Sequence, residues 1–187
     1  MLCLNDPNIR NAFIEKLNRL PNPPKRIIEE LPVHKGNAIA DIVAIHEEPH
    51  CYEIKGESDN INRISSQGKF YDKAFRKITL ITTSNHKKRA LAIAPKTWGI
   101  IEAKITKGRI VFIHIRKATL NKTIEKKLAL QTLWRDELFE LASSSNAPTK
   151  KSATKDQLIS ALDEILTSKK ISISISTQLL KRNRINK

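Results

Sequence analysis

The chain of 187 residues has few of the residues that mark several common classes of protein. Its two cysteines, Cys3 and Cys51, are too few for a disulfide framework or a cysteine-based zinc site. Aromatic residues make up 5% of the chain, which argues against a protein that stacks single-stranded bases. The apolar runs are all shorter than the roughly 20 residues of a membrane span, and residues 1–4 are too short for a signal peptide. We therefore expect no membrane partner and a reducing cytoplasm as the location.

The motifs of nucleotide-binding proteins and of serine hydrolases are also missing. With 5 Gly, the chain contains no P-loop, no G-x-G-x-x-G and no G-x-S-x-G. The histidines predict no zinc site, because His46 and His50 lie on either side of a turn that contains Pro49. Triad hydrolysis and nucleotide-dependent chemistry therefore have no support in the sequence.

What the chain has in excess is positive charge. It carries 34 Lys and Arg against 19 Asp and Glu, a net charge of +15. The excess is uneven, with 16 basic against 12 acidic residues in 1–103 and 18 against 7 in 104–187. An excess of this size predicts a polyanionic partner, nucleic acid first and an acidic membrane surface second. Hydrophobic residues at 40% are enough for a packed core.

Hydrophobic spacing in the first two thirds of the chain predicts strands and helices in alternation, a mixed α/β sandwich. The segment 26–33 fits either a strand or a helical turn. The other predicted elements are a helix over 7–20 capped by Asp6, strands over 38–46 and 50–55, a helix from 59 or 60 to about 72, a strand over 77–83, a short basic helix over 86–93, and strands over 98–103 and 109–115.

The last third changes character. Leucines among charges predict a helical stretch with a break over 124–142, followed by a linker over 143–152. A capped helix is predicted to begin at Thr154, and a final segment over 177–184 ends basic. We therefore predict two domains, one over 1–120 and a small basic helical region over 121–187.

The strongest chemical signal lies in the strand pair 38–46 and 50–55. Asp41 opens the first strand, and Glu53 and Lys55 lie two apart in the second, so their side chains leave the sheet on the same face. Ile54 should point the other way, into the core. Carboxylates beside apolar strands need a charged partner, and Mg²⁺ binds one or two carboxylates with water and phosphate.

Further polar residues should lie near this place. Arg63, Gln67 and Tyr71 are spaced four apart on the next predicted helix and form one stripe. Glu30 precedes the first strand and would join the group if 26–33 is a strand. The alternative readings are a solvated Glu30, a surface Gln67 and a half-buried core Tyr71.

The ordered set of Glu30, Asp41, the Glu53-Ile54-Lys55 triplet and the Gln67-x-x-x-Tyr71 pair resembles the PD-(D/E)xK nuclease superfamily. Asp41 and Glu53 have eleven residues between them, and the Gln67–Tyr71 spacing resembles the Q-x-x-x-Y motif of the RecB-like branch. Residues 26–103 also resemble uncharacterised bacterial and phage proteins assigned to that superfamily. Ala40 precedes Asp41 where many members have Pro. The C-terminal helices are similar to SAP-like DNA-binding units.

The resemblance implies a restriction-endonuclease-like mixed sheet flanked by helices, with a small C-terminal helical region, and a metal-dependent DNA nuclease. Asp41 and Glu53, with the Ile54 carbonyl, would hold Mg²⁺ or Mn²⁺, and no other small-molecule cofactor is expected. Lys55 would orient or help to deprotonate the attacking water. Glu30 would ligate a second metal or position that water.

The resemblance implies substrate-binding roles for the remaining residues of the motif. Gln67 and Tyr71 would hydrogen-bond the site or the DNA backbone, and Arg63 would pair with a phosphate. Cleavage of both strands would favour a homodimer. The competing hypotheses are a catalytically inactive nuclease-like DNA adaptor and a basic RNA-associated structural protein.

Overall fold

The computed structural model describes residues 3–182 of the chain. Its centre is a single six-stranded sheet in which the strands follow one another in sequence order. The strands are β1 (Arg26–Val33), β2 (Ala38–Ile45), β3 (Pro49–Lys55), β4 (Lys77–Thr83), β5 (Gly99–Thr106) and β6 (Arg109–Arg116).

The pairing of the strands is mixed. Antiparallel pairs join β1 to β2, β2 to β3 and β5 to β6, whereas β3, β4 and β5 run parallel to one another. Parallel neighbours need a crossover connection, and helices supply both of them here. The predicted mixed α/β architecture and each of its predicted strands are therefore confirmed.

Seven helices accompany the sheet in the described residues. They are α1 (Asp6–Asn18), α2 (Ile64–Ala74), α3 (Lys87–Ile93), α4 (Lys126–Leu130), α5 (Arg135–Ser144), α6 (Lys155–Ile165) and α7 (Ser168–Lys181). Short 3-10 turns at His34–Gly36 and Ile61–Arg63 precede β2 and α2.

Two local expectations are refined by the structure. The cap of α1 is Asn5, whose side chain accepts from the Asn8 N–H, so the prediction of Asp6 as the cap was wrong by one residue. The undecided segment 26–33 is a strand, and its place at the edge of the sheet allows it to contain Pro32.

The sheet is covered on both faces, which is why its parallel strands are apolar on both sides. On one face α1 packs through Ile9, Phe13 and Leu17 against strand residues that include Ile54. This confirms that Ile54 points into a core. The remaining helices cover the other face.

The C-terminal helices belong to that second core and do not form a separate unit. Leu158, Leu162, Ile175 and Leu179 lie in the same buried cluster as the strand residues, and α7 contacts β2 and β3. Even the predicted linker is partly packed, since Ala147 is buried. The predicted boundary near residue 120 is therefore not a boundary of the hydrophobic core. The basic final segment predicted to reach residue 184 extends outside the described residues.

None of the helices in residues 3–182 combines the length and apolar character needed to cross a bilayer.

Candidate functional site

An open cleft lies beside β2, β3 and the beginning of α2, and it gathers most of the residues that the sequence singled out. Seven of the eight predicted site residues line it, namely Glu30, Asp41, Glu53, Ile54, Lys55, Arg63 and Gln67. The eighth, Tyr71, is buried beneath. The fold therefore brings together most of the residues that the sequence motif singles out.

Asp41 is held at the point where β2 and β3 stop pairing. The last regular pair is Ile42 with Tyr52, and the next residue of β2 is Asp41. Its Oδ2 accepts a hydrogen bond of 2.7 Å from the backbone N–H of Ile54. Burial and the negative charge of Glu53 raise the pKa of Asp41 to about 7, while the Ile54 hydrogen bond opposes the shift. The two carboxylates are therefore close enough to repel each other.

Glu53 and Lys55 leave β3 on the same face, as their spacing predicts. Lys55 Nζ lies 2.5 Å from Glu53 Oε1, and the side chain of Glu53 is only 1% exposed. The second carboxylate oxygen, Glu53 Oε2, is buried and has no hydrogen-bond partner among the described residues. An unpartnered buried carboxylate oxygen is costly, so this atom is a candidate to accept a hydrogen bond from a water or to ligate a cation.

Glu30 approaches the site from the edge strand. It lies opposite Asp41 in a gap between regular pairs of β1 and β2, and its backbone has a φ of 51°. A residue other than glycine in this left-handed region carries strain of about 1 kcal/mol or more. Its side chain is 59% exposed and lies 3.5 Å from Arg10.

Arg10 is a residue of this site that the sequence analysis missed. Its guanidinium pairs with Asp6 at 2.9 Å and with Asp41 at 3.4 Å, and it also contacts Glu29 and Glu30. The one signal in the sequence was the spacing of Asp6 and Arg10, one helical turn apart. That spacing is common on solvated helices and does not point to a site 31 residues away.

The two predicted α2 residues have different surroundings. Tyr71 is fully buried, and its hydroxyl donates to the carbonyl oxygen of Ile39 at 2.7 Å. Burial raises the pKa of Tyr71, and so do the negative charge of Glu53 and the closeness of the Glu53 carboxylate to the Tyr71 hydroxyl. Gln67 lines the cleft, and its buried Oε1 has no hydrogen-bond partner in the described part of the chain. Of the two predicted roles for Tyr71, direct contact with the DNA backbone does not fit its burial, whereas support of the site does.

The cleft residues fit a hard divalent cation. Within residues 3–182 there is no cluster of three or more His, Cys, Asp or Glu residues arranged to hold a metal. Mg²⁺, however, is usually held by one or two carboxylates and keeps several waters. Asp41 and Glu53 supply two carboxylates among the cleft residues, and Glu53 Oε2 has no hydrogen-bond partner among the described residues.

Comparisons with known proteins identify relatives of this chain. A family model described as bacteriophage P4 protein cII matches residues 3–185. Protein cII of Enterobacteria phage P4 is 24% identical over 115 residues, a match that covers 62% of this chain and 44% of that protein. The chain thus matches less than half the length of this curated relative. Among solved structures, the SPO1766 protein of unknown function from Silicibacter pomeroyi aligns with 68% of this chain and 84% of its own, with 14% identity and a TM-score of 0.39.

Proposed function

The chain belongs to the bacteriophage P4 protein cII family, and from the residues of its cleft we propose that it is a metal-dependent deoxyribonuclease that hydrolyses phosphodiester bonds. One observation carries the proposal. The buried Glu53 pairs with Lys55 through one oxygen, leaves its other oxygen without a partner, and lies close enough to Asp41 to raise the pKa of that carboxyl. Two carboxylates can hold a metal that activates a water, and an ammonium beside them can stabilise developing negative charge.

The proposal extends to the fold. The mixed sheet with Asp41 on β2 and the Glu53-Ile54-Lys55 triplet on β3 supports a restriction-endonuclease-like arrangement of the PD-(D/E)xK type. The α2 helix that follows β3 carries Gln67 at the cleft and Tyr71 beneath it.

Each residue has a distinct part in the proposed reaction. Asp41 and Glu53 would hold Mg²⁺ or Mn²⁺, which when bound polarises a phosphate oxygen and acidifies a water. Lys55 Nζ would orient that water or offset the negative charge that develops on the phosphate. The ammonium suits both tasks, because one of its three N–H groups donates to Glu53 and the others can donate to a water or a phosphate oxygen.

The cleft also offers contacts for the nucleic acid. Arg63 is exposed at the entrance and can donate to a phosphate. Gln67 lines the cleft, and its amide would hydrogen-bond the site or the substrate. The net charge of +15 favours binding of either DNA or RNA. The choice of DNA rests on the resemblance of the motif to PD-(D/E)xK nucleases.

The test is a cleavage assay on labelled single-stranded, duplex, flap and four-way DNA with Mg²⁺, with Mn²⁺ and with EDTA. The wild type should cut at least one DNA form only when a metal is present. Asp41→Asn and Lys55→Met should lose cleavage and keep DNA binding, measured by fluorescence anisotropy. Asp136→Asn is the matched control, because that carboxylate is 92% exposed and lies on α5.

Three results would change the conclusion. Full activity of both Asp41→Asn and Lys55→Met would overturn the mechanism. Metal-independent DNA binding without cleavage of any form would instead support the inactive adaptor. Preferential displacement of DNA by RNA in competition binding would support an RNA-associated protein.

A further inference from the structure

Arg10 is the cation that balances the acidic side of the cleft. Its Nε and Nη2 atoms donate to the two carboxylate oxygens of Asp6 at 2.9 and 3.2 Å. Nη2 also lies 3.4 Å from Asp41 Oδ1, and Nη1 lies 3.5 Å from Glu30 and 3.9 Å from Glu29. One guanidinium therefore serves four carboxylates, and its side chain is only 14% exposed.

The fold fixes the place of this guanidinium. The neighbouring Ile9 is fully buried against the sheet and so anchors α1 at this point. Asp6 lies one helical turn earlier and holds the planar fork through two parallel hydrogen bonds, a geometry that suits arginine and not lysine. Burial opposes the charged form of Arg10, but the hydrogen bond and charge of Asp6 and the other carboxylates outweigh it and raise its pKa.

Arg10 reaches these carboxylates from the side of α1, whereas Asp6, Glu30 and Asp41 line the cleft itself. Its donors are directed at carboxylates, which leaves it poorly placed to receive a phosphate of the substrate. The charge that it neutralises belongs partly to Asp41, the carboxylate that would also ligate a metal. Arg10 and a divalent cation therefore compete for the same negative charge.

We propose that Arg10 is a positioning residue that acts as a built-in counter-cation of the cleft and weakens its affinity for a divalent metal. This inference rests on the metal site of the proposed function. Arg10 holds Asp41 and Glu30 together when no metal is bound, and it yields part of the Asp41 contact when a metal binds. Its removal should leave the carboxylates repelling one another, a repulsion that a bound cation relieves.

The experiment measures metal binding directly, without DNA. Isothermal titration with Mg²⁺ and the melting temperature with and without Mg²⁺ are recorded for the full chain. Arg10→Met should melt at a lower temperature without metal and should bind Mg²⁺ about tenfold more tightly, the size of coupling that two interacting ligands usually show. Arg10→Lys keeps the charge but not the planar fork, so its Mg²⁺ affinity should lie between those of the wild type and Arg10→Met.

The control is Arg19→Met, at the residue that caps the C-terminal end of the same helix. Arg19 pairs only with Glu15 among the described residues, its side chain is 79% exposed, and its substitution should leave the Mg²⁺ affinity unchanged. Arg10→Gln is the second neutral variant and keeps the measurement possible if Arg10→Met does not fold. It should show the same tighter binding.

The outcomes separate the inference from the function on which it rests. Mg²⁺ binding by the wild type, with unchanged or weaker affinity in the neutral Arg10 variants, would overturn the role of Arg10 and leave the metal site standing. A lack of Mg²⁺ and Mn²⁺ binding in the wild type and in every variant would overturn the metal site, and the inference with it.

Discussion

The carboxylate of Asp41 accepts a hydrogen bond of 2.7 Å from the backbone N–H of Ile54, the residue between Glu53 and Lys55. This side-chain contact takes the place of a backbone pair where β2 and β3 separate. Because the side chains of Glu53 and Lys55 are held by the same stretch of β3, one peptide group fixes Asp41 relative to both. The geometry of the cleft therefore depends on the end of a strand pairing and not on a flexible loop.

We expect the two uncharged variants of Asp41 to differ in stability. Asn keeps an oxygen that can accept from Ile54 N–H and relieves the repulsion from Glu53, although it weakens the pair with Arg10. Asp41→Asn should therefore unfold within about 1 kcal/mol of the wild type, whereas Asp41→Ala should lose about 1–2 kcal/mol because a buried N–H is left unpaired. Urea denaturation of the metal-free protein measures both. Equal stability of the two variants would contradict the role of the Ile54 contact.

The buried pair of Glu53 and Lys55 should show strong coupling. Lys55→Met leaves the Glu53 charge without a partner and next to Asp41, so it should cost about 3–5 kcal/mol of unfolding free energy. Glu53→Gln should cost less, because it also removes the repulsion with Asp41. The double variant should cost clearly less than the sum of the single ones.

This double-mutant cycle compares the wild type, Lys55→Met, Glu53→Gln and the double variant. Urea denaturation of the four metal-free proteins at neutral pH measures it. Lys73 and Glu125 form the matched control pair, because they lie 3.0 Å apart with side chains that are 43% and 52% exposed. Exposed pairs are usually worth less than about 1 kcal/mol. Additive costs at Glu53 and Lys55 would contradict a coupled buried pair.

Much of the sheet and of the cleft could be predicted because the signals were local. The alternation of side chains along β3 placed Glu53 and Lys55 on one face and Ile54 on the other, and the polar turn predicted around Pro49, which the structure places at residues 46–48, put β2 beside β3. The segment 26–33 could not be decided, since an edge strand with exposed residues and a proline lacks a clear period.

The features that could not be predicted from the sequence depend on contacts between residues far apart in the chain. Arg10 contacts Asp41 only because α1 packs across the sheet. The spacing of Asp6 and Arg10 within one helix does not predict that contact. The polar composition of 143–152 suggested a linker between domains, but composition does not show that Leu158 and Leu179 pack on the same core as the strands.

Tyr71 should support the cleft from beneath. Tyr71→Phe removes the hydrogen bond to the Ile39 carbonyl, which belongs to β2 two residues before Asp41, and should cost about 1–2 kcal/mol of unfolding free energy. It should also weaken Mg²⁺ binding by about tenfold, as substitutions behind metal ligands usually do. Tyr52→Phe is the control: its hydroxyl contacts His50 on the other face of the sheet, so it should leave Mg²⁺ binding unchanged. Equal effects of the two variants on Mg²⁺ affinity would contradict a specific role for Tyr71.

His50 should make the stability of the protein depend on pH. The ring stacks on Tyr52, and its Nδ1 and Nε2 atoms contact Tyr52 OH at 3.1 Å and Thr79 Oγ1 at 2.9 Å. Burial, helped by the positive charges of Lys77 and His46, lowers the pKa of His50 to about 3 in the folded protein. In the unfolded chain a histidine has a pKa of about 6.5.

The sign of this effect follows from the proton count. Between pH 6.5 and the folded pKa of about 3, the unfolded chain binds a proton at His50 that the folded protein does not. The free energy of unfolding is therefore unaffected by His50 above pH 6.5 and falls as the pH is lowered below it. The loss should approach, at most, about 1.4 kcal/mol per pH unit. His50→Gln has no proton to gain at this position, so the stability difference between it and the wild type should shrink from pH 7.5 to pH 5 in urea denaturation. A difference that stays constant over this range would show that His50 is protonated in the folded protein as readily as in the unfolded chain.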